Sequence, residues 1–175
     1  MTLATEYVRV TRKIFEMYHE MGNAVLERLS TEELHYCPSS GSNSIAVLVK
    51  HMSGNMLSRF TDFLTTDGEK EWRDRDGEFV DTLGDKADIK SAWQNGWNCL
   101  FAALDSLTDE VVESGKAVIR QEPHSIVAAF NRQLAHYACH VGQMVYIAKV
   151  VQNEDWKSLS IPKGQSKSWN KPFLK

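Results

Sequence analysis

Cysteine is scarce in this sequence, and neither sign of charge dominates it. The three cysteines, Cys37, Cys99 and Cys139, are odd in number, widely spaced and form no CxxC pair. That argues against a disulfide framework and makes a reducing cytoplasm the expected setting. Lys and Arg number 20 against 23 Asp and Glu, a formal net charge of -3. With no basic excess, the electrostatic case for a nucleic-acid partner is missing. No apolar run approaches membrane-spanning length, and Lys149 interrupts the most apolar stretch near the C-terminus, so no membrane partner is expected. Met1 to Tyr7 shows no basic region leading into an apolar run, so no secretory signal is expected. There is no Gly-rich phosphate loop, no dinucleotide fingerprint and no nucleophile–base–acid arrangement, which leaves a metal as the source of any catalysis. Internal repeats are absent, and strand patterning is confined to a brief run at Ala117-Val118-Ile119.

What is present is helical periodicity. The 175 residues are 42% hydrophobic and 25% charged, which suits one soluble domain spanning 1–175 with a sizeable core. Leu3, Tyr7, Val10, Ile14, Met17, Met21 and Ala24 recur at alternating spacings of four and three, predicting a helix over 3–29 with that stripe inward. The turn formers Pro38 to Ser42 follow, and Asn43 or Ser44 can cap a second helix, 44–65, whose face is Ile45, Leu48, Met52, Met56, Phe60 and Phe63. Asp67 to Asp88 carries nine acids against four Lys or Arg and reads as a long connection of crossover type. A third helix, 89–107, turns Ile89, Trp93, Trp97, Leu100, Leu104 and Leu107 inward, and Pro123 and Ser125 open a fourth, 125–151. Its stripe is Phe130, Leu134, Tyr137, Val141, Met144, Ala148 and Val151. The tail 152–175 has five lysines and no acid from Trp156 onward, with enough apolar residues to fold back over the helices near the histidines described next. The expected architecture is all-α, a four-helix bundle.

His136 and His140 are four apart, so they lie about 40° apart around the fourth helix and one turn apart along it. They share a second stripe with Gln133, Gln143 and Ile147, beside the core stripe. His51, next to Leu48 and Met52, is on the inward side of the second helix. Facing helices of a bundle are where metal sites are built. Imidazoles suit zinc, nickel, copper or iron, and three protein ligands leave a position open. An i, i+4 histidine pair alone is more often surface chemistry or a satisfied core hydrogen bond than a metal site. The third inward histidine is what brings the metal reading level with that one. Asn55, one turn after His51, and Gln143, three residues after His140, are candidates for holding a water or orienting a ligand; the plainer role is a helix–helix hydrogen bond. Trp93 and Trp97 read as core anchors rather than pocket walls. Arg59 and Arg132 read as solvated, with substrate-carboxylate binding as the alternative, and His19, His35 and His124 as surface or capping residues.

The runs Ser44-Ile45-Ala46-Val47-Leu48-Val49-Lys50-His51-Met52 and His136-Tyr137-Ala138-Cys139-His140-Val141-Gly142-Gln143 resemble the DinB/YfiT-like superfamily of candidate metalloenzymes. Asn131 to His136 and Trp156 to Gly164 resemble one uncharacterised bacterial branch of it. The resemblance covers the whole chain. It implies a bundle with a long crossover, a homodimer, and a divalent metal held by three histidines, carried over by position to His51, His136 and His140. Zinc or nickel is the first expectation for that ion, iron or manganese the second. Some members of the superfamily transfer bacillithiol, mycothiol or glutathione to an electrophile, whereas others have no known reaction. Two functions are therefore expected to compete: a metal-dependent thiol S-transferase, and a non-catalytic metal or small-molecule binding stress protein with the same histidines.

Overall fold

The computed structural model describes residues 1–167. Six helices and one hairpin occur among them: α1 (Leu3–Arg28), α2 (Thr31–Leu34), α3 (Ile45–Phe60), α4 (Lys86–Asp105), α5 (Asp109–Ser114), β1 (Lys116–Ile119), β2 (Glu122–Ser125) and α6 (Ile126–Gln152). The chain is mostly helical, and each helix starts on a side-chain cap. Thr2, Ser30, Ser44, Asp85, Thr108 and Ser125 each accept a backbone N–H of the first turn, satisfying donors that a helix start leaves free. No helix among the described residues is long and apolar enough to cross a membrane.

The four long helices pack around one core. Contacts fix their directions. Tyr7 reaches Val127 and Asn131 while Arg28 reaches Gln152, so α1 and α6 run parallel. Phe60 meets Phe130 while His51 meets His136, so α3 and α6 are antiparallel. Glu27 pairs with Lys90 and Arg12 with Asp105, so α1 and α4 are antiparallel too. It follows that α3 and α4 are parallel. Parallel neighbours cannot be joined by a tight turn, and the acidic segment after α3 must travel back along the length of that helix before α4 begins. Lys50 holds this segment down: its Nζ donates to the carbonyls of Gly77 and Val80 and to the Thr82 hydroxyl.

The inward faces of α3, α4 and α6 coincide with the apolar stripes, and Trp93 and Trp97 are core residues only 2% and 0% exposed. The first helix corrects the expectation. Leu3 is 86% exposed, and Tyr7, Val10, Ile14, Met17, Met21 and Ala24 are only half-buried. The buried face is Ala4, Thr11, Phe15, Gly22, Val25 and Leu26. Gly22 lets the Trp93 indole of α4 pack directly on α1, where a Cβ would collide with it. Phe15 packs against Trp97, Phe130 and Tyr137.

The second helix ends at Phe60 rather than near 65, and Asp62 adopts a positive φ of 49°. The Ala117–Ile119 run does pair, as one strand of the β1–β2 hairpin, whose turn residues Arg120 and Gln121 have positive φ. Asp67 caps that turn by accepting both of their backbone N–H groups, which ties the start of the connection to the hairpin. At the C-terminal end Trp156 and Leu159 pack against the core, and Trp156 lies under the Arg28 guanidinium. Among the described residues no ion pair joins Lys157, Lys163 or Lys167 to the 67–88 segment. Trp169, Lys171, Phe173, Leu174 and Lys175 lie outside the described residues.

Candidate metal centre

His51 is delivered by the middle of α3, and His136 and His140 by adjacent turns of α6, on the faces where these antiparallel helices meet. One ligand atom from each lies within 4.8 Å of the other two, so the three side chains can hold one metal ion. The converging atoms are the Nε2 nitrogens. His51 Nε2 is 3.2 Å and His140 Nε2 3.0 Å from His136 Nε2.

Every Nδ1 of the trio is engaged on its far side. His51 Nδ1 is 2.9 Å from Glu78 Oε2, His136 Nδ1 3.2 Å from Gln133 Oε1, and His140 Nδ1 2.8 Å from Gln143 Oε1. Each partner is an oxygen with no proton to give, so each Nδ1 is the donor. A neutral imidazole that donates from Nδ1 carries a lone pair on Nε2. Three lone pairs are thereby aimed at one point, an arrangement that repels itself unless a cation sits among them. Nitrogens bound to one ion at about 2.1 Å stand about 3.0 to 3.4 Å apart for bond angles of 90° to 109°, and the separations of His51 and of His140 from His136 fall in that range.

Electrostatics favour the unprotonated form at His136 and His140. Burial, reinforced by His140, His51, Arg73 and Arg132, pushes His136 down to about 3. Burial also lowers His140, against the opposing hydrogen bond of Gln143. Burial works against the charge of Glu78, yet the hydrogen bonds from His51 and Arg73 prevail and hold its carboxyl below the usual range.

The expected site residues thus come together, with one qualification. Gln143 orients His140, whereas the buried Asn55 accepts the Tyr137 hydroxyl at 2.9 Å, a helix–helix bond between α3 and α6. Arg59 is not solvated: its side chain is 5% exposed and pairs with Glu69. Arg132 is exposed. His19 is half-buried and stacks on Trp93, while His35 bridges Asp81 and the Gly84 carbonyl.

Three participants were not read from the sequence as parts of a site. Arg73 and Glu78 lie in what looked like a solvated acidic connection, and Gly54 looked like an ordinary helix position. The available signals were the acid Glu78 set directly before the apolar pair Phe79-Val80, and a glycine three residues after His51, on the same helix face. Phe79 stacks on the His51 ring at 4.6 Å between centroids. A cleft of about 590 Å³ opens against Gln143, lined by Leu48, Ile147 and Tyr146 with Ser42 and Asn43.

No curated protein and no solved structure matches this chain. The model of one family, described as "Protein of unknown function (DUF1572)", matches residues 2–165, and the chain belongs to that family.

Proposed function

We propose that this chain is a divalent-metal-dependent enzyme of the DinB/YfiT-like kind, which transfers a low-molecular-weight thiol to an electrophilic small molecule. In this reading His51, His136 and His140 hold the ion on a single-domain four-helix bundle with an α3–α4 crossover, acting as a homodimer. The observation that carries it is the convergence of three Nε2 lone pairs, each fixed by an engaged Nδ1. An ion held by imidazoles there supplies a Lewis acid that favours a thiolate at neutral pH; borderline-soft zinc or nickel fits such ligands best, ahead of iron or manganese. The chain's own part is to orient its ligands and to receive the substrate. The cleft beside Gln143 offers an apolar floor from Leu48 and Ile147 with hydrogen-bonding groups from Ser42 and Asn43.

One observation favours the second reading, a non-catalytic metal or small-molecule binding protein. Glu78, the buried carboxylate of the site, has both oxygens committed to Arg73 and His51. It is not free to move a proton as a general acid or base needs to. The test is elemental analysis of protein purified without a metal-affinity tag, followed by conjugation of bacillithiol, mycothiol or glutathione to a model electrophile. One ion per chain and a rate abolished by chelation support the enzyme. A bound ion with no rate above the uncatalysed reaction, across thiols and metals, favours the binding protein. No bound ion under any loading removes the enzyme and the metal-binding form of the second reading.

A further inference from the structure

Outside the three histidines, the most unusual feature is a pair of buried opposite charges brought to the site by the connection between α3 and α4. The Glu78 and Arg73 side chains are 7% and 2% exposed. Arg73 Nε donates to Glu78 Oε1 at 2.7 Å and its second terminal nitrogen to Oε2 at 2.9 Å, a two-pronged clamp. Oε2 also accepts His51 Nδ1. A buried ion pair is poor evidence for stability, because removing two charges from water offsets most of their attraction. Its location has to be explained by something other than packing.

The surrounding residues all serve to bring Glu78 to His51. Lys50, one residue before His51, pins the carbonyls of Gly77 and Val80 on either side of it. Asp74 accepts the Gly77 N–H and fixes the short turn Gly77–Phe79 that carries Glu78. Gly54 lies where any Cβ would strike the Glu78 carboxylate, 2.9 Å from its Cδ and closer still to Oε1. The absence of a side chain at 54 is what lets the carboxylate reach into α3. The three histidines are also treated differently. His136 and His140 are each steadied by a neutral glutamine of their own helix, whereas His51 alone is held by a charge, from a separate element.

We propose that Glu78, clamped by Arg73, is the positioning residue of the site: it holds His51 in the Nδ1–H form with Nε2 facing the other two histidines, and so makes ion affinity depend on the seating of the 67–85 connection. The proposal rests on the metal reading for its effect on affinity, but its effect on the His51 tautomer can be measured without any ion. A carboxylate partner fixes the imidazole tautomer and raises its basicity as a ligand, and its loss costs about 10- to 100-fold in metal affinity.

The test uses the full chain with Glu78→Gln, which keeps the shape and one oxygen acceptor. Imidazole ¹⁵N shifts of the ion-free protein should report a single Nδ1–H tautomer for His51 in the wild type and a mixture in the variant. Zinc affinity, by competition with a chelator, should fall about 10-fold or more, and the visible spectrum of the cobalt-loaded protein should shift. With His51→Ala already present, Glu78→Gln should change affinity less than about twofold, since the residue acts through His51. Should Glu78→Gln leave Arg73 uncompensated and the protein unfolded, Arg73→Gln with Glu78→Gln removes both charges and should show the same tautomer change. A folded variant with the wild-type tautomer, affinity and spectrum overturns the proposal, as does an equal affinity loss with and without His51. A wild type that shows the His51 tautomer but binds no ion refutes the metal reading instead and confines Glu78 to fixing the ring.

Discussion

Replacing Gly54 by alanine sets two effects of known sign against each other. In a helix interior alanine is better than glycine by about 0.8–1 kcal/mol. Against that gain, the new methyl meets the Glu78 carboxylate. Ordinarily the far end of a glutamate moves aside at little cost, but this one is held by Arg73 at 2.7 and 2.9 Å and by His51 at 2.9 Å. Relieving the overlap takes a shift of about 1 Å, enough to stretch those bonds out of range. Breaking a buried pair completely costs about 3–5 kcal/mol; a carboxylate that slides while keeping one arginine contact loses roughly half, which leaves a net loss of about 0.5–1.7 kcal/mol after the helix gain. Gly142 is the control. It lies in the interior of α6 with no atom within 4 Å of an added Cβ, so Gly142→Ala keeps only the gain, about 0.8–1 kcal/mol. Urea denaturation of the two ion-free variants should move the midpoint in opposite directions, down for Gly54→Ala and up for Gly142→Ala. If Gly54→Ala stabilises as much as Gly142→Ala, the clamp on Glu78 is not as rigid as the geometry implies.

Gly22→Ala drives a methyl into the Trp93 indole, which is 2% exposed and has nowhere to retreat; overpacking of about 1–3 kcal/mol outweighs the helix gain, and an unchanged or higher Tm would contradict this. Tyr137→Phe strands the buried Asn55 oxygen at a cost of about 1–3 kcal/mol while leaving metal content unchanged; a fall in metal content would mean the hydroxyl serves the site. His136 gives a pH signature. Its folded value, about 3, lies below the 6.5 of an unperturbed histidine, so the unfolded chain binds the proton more readily between those values. Its contribution to stability is therefore present above about pH 6.5 and is lost as pH falls towards 3. Urea midpoints of ion-free protein between pH 7 and 5 should fall more steeply for the wild type than for His136→Gln, and equal slopes would refute the assignment.

The parts of this molecule that were legible in the sequence are those governed by local periodicity. Ile45, Leu48, Met52, Met56 and Phe60 on α3, and Tyr137, Val141, Met144 and Ala148 on α6, are apolar residues at helical spacing, and each faces the core. The same spacing placed His51, His136 and His140 on facing surfaces. The first helix misled because its buried face mixes small or polar residues, Ala4, Thr11 and Gly22, with Phe15, Val25 and Leu26, while the regularly spaced Tyr7, Val10, Ile14, Met17 and Met21 sit half-buried beside them. The connection misled for a different reason. Nine acids among few apolar residues look solvated, and nothing local says that Arg73 and Glu78 are buried, since that depends on Lys50, His51 and Gly54 in another element. Arg59 is likewise exposed by pattern and buried by its distant partner Glu69.

The central claim is that three Nε2 nitrogens hold one ion. X-ray absorption at the edge of the bound metal, on protein loaded with one equivalent of zinc, tests it most directly. The account predicts three imidazole nitrogens at about 2.0–2.1 Å, falling to two or to no bound ion in His136→Ala with helical content unchanged. A coordination shell without three imidazoles, or one that His136→Ala leaves intact, would contradict it.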